Sequence, residues 1–453
     1  MTQPVPEPEQ GVAAPAVPPT LAGPAAGGPT TSPPIAPATK GWRHAVSALS
    51  YPDYAKFWTG ALISNCGTWM QNVTVPYVIY QSTKSGLLVG LAGFSQFLPV
   101  VFIGPIGGWV ADRYPRRSVL IVTNTAQAVI ATVMWAAYVA GYHSPAVLIG
   151  LVFLTGVVQG LNVPAWQAFV GELVPRSALL NAVTLNSAQF NAARAVGPAV
   201  AGLVLAGLGA QWAFLLNALS YGAVIVALAA ISPRPNPGTA HDTKPPLRQQ
   251  MRASLDYARS TPGIVAAMCF VAIGAGFGQP LFQLMPVYAD EVFHAETWRF
   301  GLMAAAIGLG GVIGAGVLGV LGDSYRRSTL VRTSLLIYTG VLLAVALAPV
   351  YMAAVFTLLA AGAVYLIYVA PLNTTVQLQA GDHVRGGIFA IYVMTFNIAY
   401  PIGTLTQGWL ADTIGARATV FVSAVATGCG FLVAARKRLF GALDDELPEA
   451  VGS

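Results

Sequence analysis

Charge is scarce in this chain. Asp, Glu, Lys and Arg together make up 9% of its 453 residues, where a soluble domain carries about 25%. So little charge cannot cover a water-facing surface, which excludes a soluble globular protein. Metal and redox chemistry lack their residue patterns too. The three cysteines, Cys66, Cys269 and Cys429, fall singly in separate apolar stretches, with no ligand or redox spacing. The five histidines, His44, His143, His241, His294 and His383, lie in or near predicted loops and make no HExxH set. No GxxxxGK[ST] loop occurs, which argues against direct use of ATP. The expectation is a non-enzyme without cofactor or metal. Aromatics are absent from Met1 to Lys40, a stretch of Pro, Ala, Gly and Thr that cannot bury enough apolar surface to order itself. Without a basic start followed by one apolar core, no cleaved signal peptide is expected here.

What is present is oily sequence in long runs. Hydrophobic residues make up 55% of the chain and the mean hydropathy is +0.64. Apolar runs of 18 or more residues recur, each able to cross about 30 Å of hydrocarbon. Backbone groups in lipid must be bonded internally, so the spans are expected to be helices and the fold class all-α. Twelve spans are predicted, at 55–81, 87–111, 118–140, 145–168, 178–208 and 212–231, then 263–289, 299–322, 328–349, 351–378, 386–411 and 417–436. The longest polar stretch after the tail separates the sixth from the seventh. The expected organisation is a tail over 1–44, a six-helix bundle over 45–232, a linker over 233–262, a second bundle over 263–436 and a second tail over 437–453.

Orientation follows from the basic residues. With both termini in the cytoplasm, Lys84, Arg299 and Arg417 lie outside and Arg194 lies within a span, which leaves nineteen of 23 Lys and Arg inside. The net charge of +6 is then accounted for by topology and anionic lipid, without nucleic acid.

Between the second and third spans stands GWVADRYPRRSVL, Gly108 to Leu120, and after the eighth stands a shorter counterpart, GVLGDSYRRSTL, Gly319 to Leu330. Asp112 corresponds to Asp323, and Arg116 with Arg117 to Arg326 with Arg327. A second correspondence, at an offset of 206, matches Phe190 to Phe396, Asn191 to Asn397, Gly197 to Gly403, Gly202 to Gly408 and Gly209 to Gly415. Both argue for duplication. A carboxylate at a helix end can accept hydrogen bonds from the N-terminus of a neighbouring helix and pair with arginines, so Asp112 is a candidate latch between two arrangements of the halves. Arg113, Arg116 and Arg117 can equally be topology anchors.

These features resemble the major facilitator superfamily, whose loop after the second span reads Gly, any residue, Leu, Ala, Asp, Arg, any residue, Gly, Arg, Arg. Gly108, Asp112, Arg113, Arg116 and Arg117 match it, with Val110 for Leu and Pro115 for Gly. The first span, YPDYAKFWTGALISNCGTWMQNVTVPYVIYQSTKSG, resembles the drug and siderophore exporters, including the enterobactin exporter and macrolide efflux proteins. RAVGPAVAG, Arg194 to Gly202, resembles the Gly-Pro motif of antiporters in the superfamily, with Ala201 where Gly is common; Gly197, Pro198 and Gly202 can form a tightly packed hinge or serve ordinary helix packing.

Polar stripes mark a candidate cavity. They comprise Asn65, Thr68 and Asn72 on the first span, Gln159, Asn162 and Trp166 on the fourth, Gln279 and Gln283 on the seventh, and Tyr392, Asn397 and Tyr400 on the eleventh. Since the superfamily lines its cavity with the first, fourth, seventh and tenth spans, the resemblance adds Tyr365 and Tyr368. Interhelical hydrogen bonding is the alternative for each. Arg194, the one ionic side chain well inside a span, marks a pathway or a pair: it contacts anionic cargo, responds to protonation elsewhere, or bonds helix carbonyls. No carboxylate lies mid-span; Glu172, Asp290, Glu291 and Asp412 sit at span ends and read as surface charges. The resemblance implies a plasma-membrane (inner-membrane) exporter, proton-driven and monomeric, that takes a small amphipathic organic substrate by alternating access amid membrane lipids. An uptake permease of the same fold, a non-transporting sensor or scaffold, and a channel are the alternatives.

Overall fold

The computed structural model describes Met1 and residues 46–232, 247–322, 324–381 and 384–445. The predicted tail over 1–44, part of the linker, Asp323 and His383 therefore lie outside the described residues. Among those described, every regular element is helical.

The spans fall where the apolar runs place them. In order they are Pro52–Thr83, Gly86–Arg113, Arg116–Val139, Pro145–Glu172, Leu179–Gly207 and Ala210–Ala229, followed by a broken seventh and then Thr297–Leu321, Arg327–Ala346, Tyr351–Gln379, Arg385–Ile414 and Ala416–Arg436. Among the described residues, eleven helices are long and apolar enough to cross a membrane. Span 1 is long enough at 32 residues, but its Asn, Gln and Thr side chains keep its mean hydropathy lower. The chain starts and stops spans with ordinary devices. Pro52, Pro145 and Pro262 stand in first turns, where a missing N–H costs nothing. Gly209 and Gly415, matched by the internal correspondence, carry φ of 91° and 86° in the turns before spans 6 and 12. Both halves thus make the same tight reversal with a residue free of the Cβ penalty.

Span 7 departs from a continuous helix. Pro262–Ile273 passes into a π-helical turn, Gly274–Gly278, then Pro280–Gln283 and Met285–Phe293. Pro280 has no N–H to offer the carbonyl of Gly276, and Gln407 of span 11 supplies the donor, its Nε2 lying 3.2 Å from that oxygen and 2.8 Å from the oxygen of Phe277. The linker also holds an amphipathic helix, Leu247–Ser260. It packs on spans 7 and 11, where a Cβ on Gly387 would collide with Ser254, and reaches the end of span 10, where the Tyr257 hydroxyl donates to the Gln379 carbonyl at 3.1 Å.

Within the first six spans, span 1 packs on 5 and 6, span 2 on 4, and span 3 on 4 and 6; within the last six, span 8 packs on 10 and span 9 on 10 and 12. Small residues allow the closest approaches, as where Gly107 faces the backbone of Gly160 and where Gly310 and Gly314 face the backbone of span 10. The two halves meet through span 2 on span 11 and span 5 on span 8.

Candidate functional site

The meeting of the halves is one-sided. Spans run alternately up and down, so Ser85, Gly209, Glu291 and Gly415 share one end, called here the Ser85 end. Asp112, Glu172 and Arg326 share the other, the Asp112 end. Among the described residues, all hydrogen bonds, ion pairs and ring contacts between halves lie at the Ser85 end or near mid-span.

The tightest group of these contacts is built on Asp412, at the end of span 11. Its carboxylate accepts from the Ser85 hydroxyl at 2.7 Å, from the Leu87 N–H at 3.0 Å and from the Gly86 N–H. Those N–H groups open span 2 and have no partner within the helix, so a carboxylate there satisfies orphan donors and complements the macrodipole. Beside it, Lys84 pairs with Asp290 at 2.9 Å, and Glu291 accepts from the Tyr80 hydroxyl at 3.3 Å and from the Ala416 N–H at 2.8 Å. Tyr77 donates to or accepts from Thr297 at 2.8 Å and stacks on Phe300 at 5.1 Å. Spans 5 and 8 cross at Gly202 and Gly301, where either Cβ would run into the other backbone.

Asp412 stands out from the surface charge expected of it. Its local sequence is GWLAD, Gly408 to Asp412, against GWVAD, Gly108 to Asp112. The two copies end antiparallel neighbours, span 11 at one end of the bundle and span 2 at the other. Comparing equivalent loops of the two halves does not reveal this echo; comparing opposite ends of one helix pair does.

At the other end the loop is divided. Asp112 is exposed and has no hydrogen-bond or ion-pair partner among the described residues. Arg113 lies over the Trp109 ring, 5.4 Å from its centre. Arg116 pairs with Glu172 at 2.5 Å, and Arg117 donates to the carbonyls of Leu228 and Ala229 at 2.6 and 3.0 Å. Both arginines therefore fasten the loop to the C-terminal ends of spans 4 and 6, where cations are favourable, and neither reaches the other half. A Cβ on Gly108 would meet nothing; the glycine that packing requires is its neighbour Gly107. In the second loop Arg326 is exposed, Arg327 buries an unpartnered Nη1, and Asp444 accepts from the Ser328 N–H at 2.9 Å, capping span 9.

The polar stripes separate into two groups. Thr68 lies 3.2 Å from the Tyr221 hydroxyl, which donates to Gln127 at 2.7 Å, which in turn donates to Gln159 at 2.9 Å; Asn162 donates to Thr123 at 2.8 Å. These tie spans 1, 6, 3 and 4 together inside the first half. Asn72 accepts from Gln96 at 2.9 Å, and Trp166 donates to Asn186 at 3.1 Å. Asn397 bonds its own helix at Val393, and Gln283 donates across the halves to the Val89 carbonyl at 3.2 Å. Asn65 is half-buried.

The second group is aromatic and central. Tyr338, Tyr365 and Tyr368 form a cluster with centroids 5.6 to 6.5 Å apart, and Gln279, in the broken seventh span, is buried. Tyr392 is buried with an unpartnered hydroxyl, and Tyr400 packs edge-on against Phe97 of the first half at 4.8 Å. Arg194 faces this cluster from span 5. Its guanidinium lies 5.4 Å from the Trp69 ring and 5.2 Å from the Phe282 ring, within electrostatic reach of Tyr338, Tyr365 and Tyr400. On the same helix Gly197 packs against the backbone of Cys66 and Met70, and Pro198 is buried without ending the helix. A recess of about 600 Å³ between Glu291, Ala346, Ile414 and Arg417 opens at the Ser85 end and is unconnected with this cluster.

Comparison with known proteins gives the family and the fold. A family model described as a transmembrane secretion effector matches residues 44–448. The staphyloferrin A transporter of Staphylococcus aureus is 21% identical, covering 82% of this chain and 93% of that one. The multidrug efflux pump Tap of Mycobacterium tuberculosis is 25% identical, covering 84% and 93%. Macrolide efflux protein A of Streptococcus pyogenes is 23% identical, covering 79% and 89%. Among solved structures, a bacterial homologue of the human lysosomal transporter Spinster, inward-facing and unoccupied, superimposes with a TM-score of 0.70 at 14% identity over 88% of this chain and 99% of that one. A D-xylose–proton symporter gives 0.68 at 18%, over 88% and 98%.

Proposed function

Because this chain belongs to the transmembrane secretion effector family, and is an efflux or secretion transporter of the major facilitator type in the cell membrane, we propose that it exports a small amphipathic organic molecule by alternating access. The cargo is of the class of drugs, siderophores or secondary metabolites. Protons moving inward drive it. The Asp112 end faces the cytoplasm, as the basic residues require, and the protein works as a monomer.

One observation carries the reading: the halves are clasped at the Ser85 end through Asp412 and, among the described residues, share no hydrogen bond, ion pair or ring contact at the Asp112 end. That arrangement admits cargo from the cytoplasm. In the opposite one, the Asp112 carboxylate docks on the start of span 11 as Asp412 now docks on the start of span 2. GWVAD and GWLAD are then two clasps on one antiparallel helix pair, closed in turn. The charge of Asp412 holds the span 2 N-terminus, so that loss of this contact frees the outer end. Gly202 with Gly301, Gly197 and Pro198 form the pivot about which the halves rock.

Everted vesicles test the proposal. Cargo or dye accumulation that collapses when the pH gradient is dissipated supports it; gradient-independent equilibration would point to a channel, and no flux of any compound to a sensor.

A further inference from the structure

Arg194 presents a charge that the protein itself leaves unanswered. It stands midway along span 5, half-buried, where an ionic group is costly unless paired. Among the described residues it has no hydrogen bond and no ion pair, and no described carboxylate stands midway along a membrane-spanning helix. Among the described residues its ring contacts are with the faces of Trp69 and Phe282, one from each half. Ring faces attract a guanidinium, but they leave its fork of N–H donors free along the edge.

The surroundings on the facing half are donors as well. Tyr392 is 5% exposed, and its hydroxyl is buried without a partner. Tyr338, Tyr365 and Tyr400 stand near enough to feel the arginine's field. A cation, an unpartnered phenol and a set of ring faces together lack one thing, an acceptor carrying negative charge.

We infer that Arg194 and the tyrosines opposite form a binding site for an organic anion, a carboxylate attached to a planar apolar body. The carboxylate takes the guanidinium in a two-pronged pair, the geometry to which the arginine fork is suited. The planar body lies among the rings of Tyr338, Tyr365 and Tyr400. The position serves traffic between the halves. Arg194 is eight residues, about 12 Å of helix, from the Gly202 crossing, and the Phe97–Tyr400 contact marks the same inner limit of the clasped region. An anion held there touches both halves and sits on the boundary that opens and closes. This assignment rests on the export reading for its role in transport, though binding itself does not depend on it.

The test uses the full chain in lipid nanodiscs and two dyes of similar ring system and opposite charge, carboxyfluorescein and tetramethylrhodamine ethyl ester, with binding read by anisotropy. The wild type binds carboxyfluorescein at least about tenfold more tightly than the cationic dye. Benzoate displaces it and benzylamine does not. R194Q loses about tenfold or more of the affinity for carboxyfluorescein and none for the cationic dye, and R194K, which keeps the charge without the fork, falls between. A wild type that prefers the cationic dye, displacement by benzylamine, or unchanged carboxyfluorescein binding in R194Q overturns the assignment; the wild-type measurements decide it even if R194Q does not fold. Gradient-driven flux of the cationic dye without binding of carboxyfluorescein removes the anion site and leaves export standing. Binding of carboxyfluorescein without gradient-driven flux of either dye does the reverse.

Discussion

Two carboxylates with the same local sequence, GWVAD and GWLAD, end two antiparallel helices, and only one of them is engaged. Asp412 collects the opening donors of span 2, while Asp112, at the far end of span 2, is exposed and has no partner among the described residues. Each aspartate stands near the C-terminal end of one helix of the pair. What differs is that only Asp412 caps its neighbour. In the proposed function the two are taken as a pair of clasps.

The largest expected effect comes from obstructing the engaged end sterically. G202L places a branched side chain against the backbone of Gly301. Overpacking of this kind costs about 1–3 kcal/mol, so vesicle flux should drop about tenfold or more while membrane insertion, read by yield, persists. D412N follows. It keeps the shape and removes the charge from a cap on three donors, a loss of about 1–2 kcal/mol. Accessibility of a cysteine placed at Tyr77 to an impermeant thiol reagent should rise, since that ring is stacked under Phe300 only while the end is closed. D112N separates the two copies. With no partner to lose in the present arrangement, thermal stability should be unchanged, yet flux should fall several-fold because the alternate closure is weakened; full flux would reduce GWVAD to a topology signal.

Smaller effects belong within one half. E172Q breaks the pair with Arg116, both side chains being less than a fifth exposed, and should lower stability by up to about 1 kcal/mol with little change in Asp412-dependent gating. T68A removes one link of the Tyr221–Gln127–Gln159 chain. It should cost about 0.5–1.5 kcal/mol in unfolding and leave dye affinity intact, which distinguishes a bundle tie from a cargo ligand.

Much of this was legible in the residues. The spans follow from apolar length alone, and the second, expected over 87–111, runs from Gly86 to Arg113. The duplication was legible because Gly209 and Gly415 need the same backbone conformation at the same turn. Periodicity, by contrast, identifies a polar face without saying what it faces. Thr68, Gln159 and Asn162 look toward neighbouring helices of their own half, whereas Tyr365, Tyr392 and Arg194 share the centre. The break in span 7 was hidden because GAGFG is as apolar as the helix around it, and the donor that makes it tolerable, Gln407, comes from another span. The linker helix was hidden behind the prolines that precede it. Asp412 reads as a surface charge because its exposure is real; apart from the Ser85 hydroxyl, its partners are backbone N–H groups, which leave no mark in a sequence.

The central claim is that the two clasps close in turn. Electron-paramagnetic distance measurement on spin labels tests it directly, with one pair at Gln81 and Glu296 across the Ser85 end and another at Tyr114 and Leu378 across the Asp112 end, all four exposed. In lipid, the account predicts that D412N lengthens the first distance and shortens the second relative to the unsubstituted aspartate. Distances that stay fixed, or change together in the same sense, would contradict it.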